Sequence, residues 1–445
     1  MSNSDWRLRV LTVAALSLFL SSHVFAQQGT WTTKAPMVPR SRLGAGVIGG
    51  ALYAVGGFYL PSAGTLSTVQ AYDPRTNTWT TKASLLTQRA NMAVGVIDGI
   101  MYVAGGSVSC DTDRTVEAYD PRTNTWTTKA PIPTPRCAPV AGVIDGILYV
   151  VGEGSNPVVE AYDPKTNTWG SRTPIPTPRY GAAAGVIDGI LYVVGGLGTG
   201  RELDAYDPKS NTWSIKAPMP TSRAYLSVGV VDGRLYAVGG GTGPFHNEVL
   251  STVEVYDPRN DSWSAALPMP TARKELGVAV VDDVLYAFGG ESPSGYLGAN
   301  EGFDPFLRIT IDIKPGDPDN TINLKSRGTL PVAILGSATF DPVTVDPATV
   351  TLAGAPAATR PNGVPMIPHG GTDFDGDGYL DLLLHFRTQD LQLTRASTEA
   401  VLYGQTFSGQ RIRGADAVRI VPSDRLLRSN PWTEGLNGRR RLPTD

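Results

Sequence analysis

The chain is written in short apolar runs of four or five residues, each closed by a cluster of Gly, Asp, Asn or Pro. Val143-Ile144 and Leu148 to Val151 flank Asp145-Gly146, a pair suited to the two-residue turn of a β-hairpin. A further run, Val159 to Tyr162, reaches Trp169 through Asp163-Pro164-Lys165-Thr166-Asn167. There the proline pre-sets one turn angle, while Asp and Asn side chains bond their own backbone. The pattern predicts four antiparallel strands, and it recurs.

Six tryptophans, Trp31, Trp79, Trp126, Trp169, Trp213 and Trp263, are spaced by 48, 47, 43, 44 and 50 residues. An arginine follows nine or ten residues after each (Arg40, Arg89, Arg136, Arg179, Arg223, Arg273), and a tyrosine thirteen after that. Next come a glycine pair, as at Gly56-Gly57, then Tyr-Asp-Pro, and the next tryptophan seven residues beyond that tyrosine. A four-stranded sheet cannot bury both faces alone, so such copies stack, and radial stacking makes a β-propeller.

These residues resemble kelch repeats, whose pattern combines the glycine pair, the tyrosine and the tryptophan at this spacing. The resemblance covers roughly residues 29–306 and implies one blade per repeat. The expected fold is all-β: a six-bladed kelch propeller over 27–306, then a β-sandwich-like domain over 307–422. The first copy starts with its tryptophan strand, Trp31 to Lys34, and the last has Thr310 where a tryptophan would stand. The N-terminal strand is therefore expected to complete blade six beside Glu301 to Asp304, leaving no open edge.

Composition agrees, with 50 Gly and 35 Pro among 445 residues and no collagen period. A net charge of −3 gives no nucleic-acid footprint. Arg7 and Arg9 precede an apolar run from Val10 to Leu20, and small residues lead to Ala26. That is the layout of a secretory signal peptide over 1–26, cleaved after Ala26. The run is too short for a membrane anchor, so secretion, the periplasm or the cell surface is expected, with no stable membrane insertion. The tail over 423–445 reads as disordered.

Counted from the second glycine position to the tyrosine of Tyr-Asp-Pro (phenylalanine in the last copy), the six copies give 15, 13, 9, 10, 16 and 13 residues. The variation lies in the loop between second and third strands, on the same face as the arginine-bearing linker, and binding usually resides in such loops. The second residue after each repeat arginine should sit at the channel mouth: Arg42, Asn91, Ala138, Gly181, Tyr225 and Glu275. Arg42 and Glu275 become neighbours once the ring closes, as part of a site or as a structural ion pair. Kelch propellers commonly bind partners at this face, through arginines of the first strand. The six repeat arginines are expected to be inter-blade hydrogen-bonding groups.

Glu153 replaces a glycine near the channel, as a general base or as a solvated substitution, and His246 in the fifth-copy loop is a further ligand-face candidate. Cys110 and Cys137 fall in nearby loops of that face and suit a disulfide in an oxidising compartment, two free thiols being the alternative. Only His246, His369 and His385 remain beyond the signal segment, too few for a copper oxidase resembling galactose oxidase.

Beyond Leu307 the period stops, and strand candidates run Ile309–Ile313, Val332–Leu335, Thr349–Leu352, Leu382–Phe386, Ala400–Tyr403 and Ala417–Val421. Ile311-Asp312-Ile313-Lys314-Pro315-Gly316 resembles the opening of a β-rich module of bacterial secreted proteins. Asp373, Asp375, Asp377 and Asp381, with Gly378 at position 6 and Tyr379 at position 7, form a loop suited to calcium, the alternative being a solvated acidic turn. Leu384 stands where an EF-hand has its glutamate, so the loop resembles those of integrin-type repeats, closed by Asp381. Structural Ca²⁺ is the one cofactor expected.

No catalytic constellation emerges. The reading is an exported kelch propeller presenting a protein- or carbohydrate-binding face. A sugar-active enzyme of sialic-acid mutarotase or epimerase type, using Arg42 and Glu275, is the enzymatic alternative, and a cell-surface or matrix module the structural one.

Overall fold

A computed structural model describes residues 29–61, 64–106, 113–152, 157–198, 200–243, 247–359 and 372–421. The expected signal segment and the tail after 422 lie outside them, as do Cys110, Glu153, His246 and His369. Among the described residues there is no α-helix.

The repeats form six antiparallel four-stranded sheets. Blade one comprises Gly44–Ile48, Ala51–Val55, Val69–Asp73 and Thr78–Lys82, in that order from channel to rim. First strands of successive blades adjoin around the axis. They come close because the middle residue is glycine in five of them and alanine (Ala279) in the sixth: a Cβ on Gly95 would lie 2.5 Å from Leu148 of the next blade, and one on Gly142 2.5 Å from Leu191. Ring closure is as expected. Thr30–Lys34 pairs with Asn300–Asp304, Trp31 opposite Phe303 and Lys34 opposite Asn300.

The rim is latched by the residues that make the turns. Tyr162 Oη donates to Asn167 Oδ1 (2.7 Å), the Ala130 amide of the preceding blade donates to the same oxygen (3.0 Å), and Trp169 Nε1 donates to Ala130 O (2.9 Å).

The repeat arginines are buried hubs. Arg89 Nη1 donates to Gly105 O and Thr115 O (both 3.1 Å), and Nη2 to Glu117 (2.6 Å). Glu117 also accepts the amides of Leu86 (2.8 Å) and Thr87 (3.1 Å). The side chain thus fastens the linker to the blade it leads into, while the Arg89 carbonyl accepts Gly57 N–H of the preceding blade (2.9 Å). Carboxylates at the same place serve Arg136 (Glu160), Arg179 (Asp204), Arg223 (Glu254) and Arg273 (Glu301). They stand two residues before the tyrosine or phenylalanine of the Tyr-Asp-Pro motif, a periodic acid that the sequence reading passed over.

Blade one departs. Its arginine, Arg40, meets the neutral Gln70 (2.6 Å), and burial pulls the guanidinium down to about 10. Gln70→Glu should raise propeller stability by on the order of 1–2 kcal/mol, because it gives the buried guanidinium the counter-charge that the other five blades supply. Chemical denaturation followed by tryptophan fluorescence checks this; a loss of stability would contradict it.

The second domain packs a five-stranded sheet on a three-stranded one. The first contains Leu307–Arg308, Arg411–Ala417, Glu399–Thr406, Val345–Leu352 and Ala355–Pro356. The second contains Ile311–Ile313, Thr329–Ile334 and Leu382–Arg387. Between them lie Ile313, Val332, Leu352, Phe386, Leu402 and Ile412.

Arg411–Ala417 is a strand the apolar pattern missed, because its outward residues face the propeller. Arg413 Nε and Tyr403 Oη donate to Asp283 (2.7 and 2.6 Å), and Arg411 donates to Tyr236 Oη (2.7 Å) with its guanidinium 4.2 Å from the Phe306 ring centre. Asp283 occupies the second hairpin-turn position, where the other five blades carry glycine, and keeps the positive φ of 63°. The domain therefore docks on the face opposite the variable loops.

Candidate functional site

The six mouth positions come together as expected and line a cavity of about 210 Å³ at the loop end of the channel. Arg42, Asn91, Tyr225 and Glu275 all hold φ between 55° and 57°, and Gly181 holds 69°. Such angles persist in non-glycine residues only where the surroundings enforce them. Here peptide hydrogen bonds do so: Asn91 N to Arg42 O (2.8 Å), Arg42 N to Glu275 O (2.9 Å), Glu275 N to Tyr225 O (2.8 Å) and Tyr225 N to Gly181 O (2.7 Å). The arc joins five blades and stops at Ala138, which has no positive φ. Ala138 follows Cys137, which is buried and disulfide-bonded. Cys110, the other cysteine of the chain, lies outside the described residues.

Arg42 and Glu275 meet, with Nε 2.9 Å from Oε2. Ser41 Oγ donates to the same carboxylate oxygen (3.2 Å), and Glu275 is almost fully covered. Burial works to lower Arg42, but the hydrogen bond and charge of Glu275 outweigh it and hold the guanidinium above its ordinary range. Burial, with the Glu275 charge adding, pushes the Tyr225 phenol up. The Tyr225 ring lies over Gly181 and edge-on to Tyr180, centroids 5.9 Å apart.

The long loops of blades five, six and one fold into small upper hairpins: Gly241–Thr242 with Glu248–Val249, Glu291–Ser292 with Gly295–Tyr296, and Phe58–Tyr59 with Gly64–Thr65. Each is extended by the arginine-bearing linker, through the bridges Ala224 to Gly241, Lys274 to Glu291 and Ser41 to Phe58. These blades are contiguous around the ring and wall one side of the mouth. On the wall, Tyr296 packs against Tyr59 (5.4 Å) and Phe58 (6.2 Å), Arg42 lies 5.2 Å from the Phe58 ring centre, and Leu60 is 67% exposed. The aromatic group was missed, although Phe58-Tyr59-Leu60 directly follows a glycine pair in one of the longest loops.

In the second domain, Asp373, Asp375 and Asp377 bring carboxylate oxygens within 4.8 Å of one another. Asp373 accepts the amides of Gly376 (2.7 Å), Asp377 (3.2 Å) and Gly378 (2.9 Å), which curls the loop and, Gly378 foremost, holds its carboxyl below the usual range. For Asp375 the Asp377 amide pulls the other way, yet desolvation and the charges of Asp377 and Asp381 leave its carboxyl raised. An all-oxygen donor set with crowded negative charge fits a hard divalent cation. Asp381, the expected ninth-position acid, sits at the base of the loop. It is buried, and its oxygens accept the amides of Gly336 (2.8 Å) and Phe374 (2.7 Å), so it anchors the loop to the sheet. Tyr379 is exposed, and its amide donates to Asp377 (2.9 Å).

Six radial blades with glycine-pair turns, a buried arginine per blade and one face of unequal loops define a kelch-type β-propeller. Comparison with known proteins gives the same result. The Kelch motif matches residues 39–86 and 88–133, and the KLHDC2/KLHL20/DRC7 Kelch-repeats domain matches residues 153–290. The solved structure of YjhT aligns with a TM-score of 0.52 at 19% identity, over 64% of this chain and 98% of that one, a likeness of fold. Kelch-like ECH-associated protein 1B of Danio rerio is 44% identical over 85 residues, 18% of this chain and 14% of the relative. The Influenza virus NS1A-binding protein homolog of Mus musculus is 38% identical over 87 residues, 19% and 13% of the respective lengths. The matched segments thus span about a seventh of those curated relatives.

Proposed function

We propose that this is an exported propeller that binds a protein partner on its loop face, with a calcium ion bracing the C-terminal domain. The observation that carries the reading is the asymmetric wall over blades five, six and one, where Phe58, Tyr59, Leu60 and Tyr296 surround Arg42 beside the open mouth. Half-exposed aromatics with an adjoining arginine are the composition of interface hot spots. The rings are mutually tilted rather than level, which suits inserted side chains better than a flat sugar face. Two relatives carry protein association in their names, ECH-associated and NS1A-binding, and that supports the same choice. Sugar mutarotase chemistry would need Glu275 to exchange protons, whereas its carboxylate already receives Arg42 and Ser41. The test is to select peptide ligands on the full chain and ask whether Tyr59→Ala with Tyr296→Ala abolishes their capture.

The calcium reading rests on the converging carboxylates and on Asp312. Burial and the charges of Asp416, Asp375 and Asp381 raise the Asp312 carboxyl, so this neighbouring strand adds to the negative field at the loop. Millimolar calcium should raise the melting temperature of the C-terminal domain by several degrees, and Asp375→Asn should remove the shift. Differential scanning calorimetry with and without calcium reads it; an unshifted wild-type transition would retire the site.

A further inference from the structure

Five blades carry an aspartate at the first position of the inner hairpin turn and a tyrosine four residues on, as in Asp232 and Tyr236. These turns lie on the face opposite the variable loops. In blade five the pair receives a guanidinium: Arg411 of the second domain donates from Nη1 to Tyr236 Oη (2.7 Å) and from Nη2 to Asp232. In blade six Arg308 stands beside the pair of Asp282 and Tyr286, donating to Asp282 O (3.1 Å).

Blades two, three and four repeat the pair as Asp98 with Tyr102, Asp145 with Tyr149, and Asp188 with Tyr192. Their turns are closed by Ile97 opposite Ile100, Ile144 opposite Ile147 and Ile187 opposite Ile190, as Val231 opposite Arg234 closes that of blade five. All four aspartates hold φ between 49° and 51°, so the turn backbone recurs from blade to blade. Asp98, Asp145 and Asp188 are exposed, and their carboxylates have no hydrogen bond or ion pair among the described residues. Tyr102, Tyr149 and Tyr192 are more than nine-tenths buried, yet their hydroxyls have no hydrogen-bond partner among the described residues either. None of these hydroxyls is enclosed, so each opens to the surface. Burial raises the phenols of Tyr102 and Tyr192, and the charges of Asp98 and Asp188 add to the effect, which sets each acid near its tyrosine.

We propose that the turn face of blades two to four docks a partner protein through an arginine-bearing segment, each guanidinium donating to a tyrosine hydroxyl and the aspartate beside it. Arg411 on blade five is the precedent within the molecule. Two acceptors side by side match the planar donor fork of arginine better than the single point of an ammonium. Three unpaired carboxylates on successive blades supply the charge complementarity that a basic segment needs. The surface shares no residue with the loop face.

Titration of the full-length protein with capped hexa-arginine and hexa-lysine peptides at low salt, read by calorimetry, tests the proposal. Hexa-arginine should bind at least about fivefold more tightly. Asp98→Asn, Asp145→Asn and Asp188→Asn combined should weaken it about tenfold or more, with melting temperature unchanged because asparagine accepts the same positive φ. Tyr102→Phe, Tyr149→Phe and Tyr192→Phe combined should bring hexa-arginine towards the hexa-lysine affinity while hexa-lysine binding stays as in wild type. Glu248→Gln, an exposed acid of the loop face, should bind both peptides as wild type does. Equal affinity for the two peptides, or unchanged binding in the aspartate variant, would overturn the proposal. A tenfold gain when Arg439 to Arg441 are replaced by glutamine would assign the surface to the chain's own tail and overturn the partner reading.

Discussion

Removal of residues 29–35 should abolish the cooperative unfolding of the propeller. The loss follows from ring closure: Thr30–Lys34 is the outer strand of blade six, and without it Asn300–Asp304 becomes an open edge. Trp31 packs 5.0 Å from Phe303 and donates from Nε1 to Leu267 O (2.9 Å), so the core between blades five and six opens as well. An unpaired edge beside exposed apolar surface favours self-association. Size-exclusion chromatography should show oligomers, and tryptophan fluorescence a broad transition. Trp31→Ala keeps the strand and should cost on the order of 3 kcal/mol, within the range for large aromatic truncations. A truncated chain that stays monomeric and melts as sharply as wild type would show that the ring does not depend on its N-terminus.

Glu117→Ala should destabilise the propeller by about 3–5 kcal/mol, since it leaves the Arg89 guanidinium buried without its counter-charge. Both side chains are fully covered at 2.6 Å, and the same carboxylate holds the Leu86 and Thr87 amides of the linker. Replacing the pair together, with Arg89→Met and Glu117→Leu, should recover part of that loss, because no lone charge remains. Urea denaturation of the single and double variants separates the contributions. A single variant within 1 kcal/mol of wild type would mean that Arg89 is hydrated in the folded state.

Much of the propeller was legible because each blade repeats the same turn chemistry. Asp145-Gly146, Asp163-Pro164 and Trp169 carry strand boundaries in their own conformational preferences, and the missing hairpin before Trp31 disclosed the closure. The mouth ring followed by counting, and Arg42 met Glu275 for the same reason. What stayed hidden depends on contacts between distant segments. The acids that anchor the arginines read as ordinary surface charges until burial is known, and the strand Arg411–Ala417 was masked by side chains that pair with Asp232 and Asp283. Spacing placed Asp381 in the acidic loop but could not show that its oxygens accept the amides of Gly336 and Phe374. The aromatic wall escaped because Tyr59 and Tyr296 are far apart in sequence and meet only across the seam of blades one and six.

The two faces of the propeller do different work. The turn face is covered in part by the second domain, through Asp232 and Asp283. The loop face is left open, with three upper hairpins and a cluster of rings around Arg42. Inner strands packed glycine against leucine form a rigid floor, so variation in the loops changes what is presented without disturbing the ring.

The claim that this open face binds a protein partner is tested most directly by panning a random-peptide phage library on the full-length protein. Recovered clones are then compared on wild type and on the Tyr59→Ala, Tyr296→Ala double variant, with thermal melting confirming that both are folded. Enriched peptide families that bind wild type and lose at least about tenfold in affinity on the double variant are the predicted result. No enrichment, or families that bind both proteins equally, would contradict it.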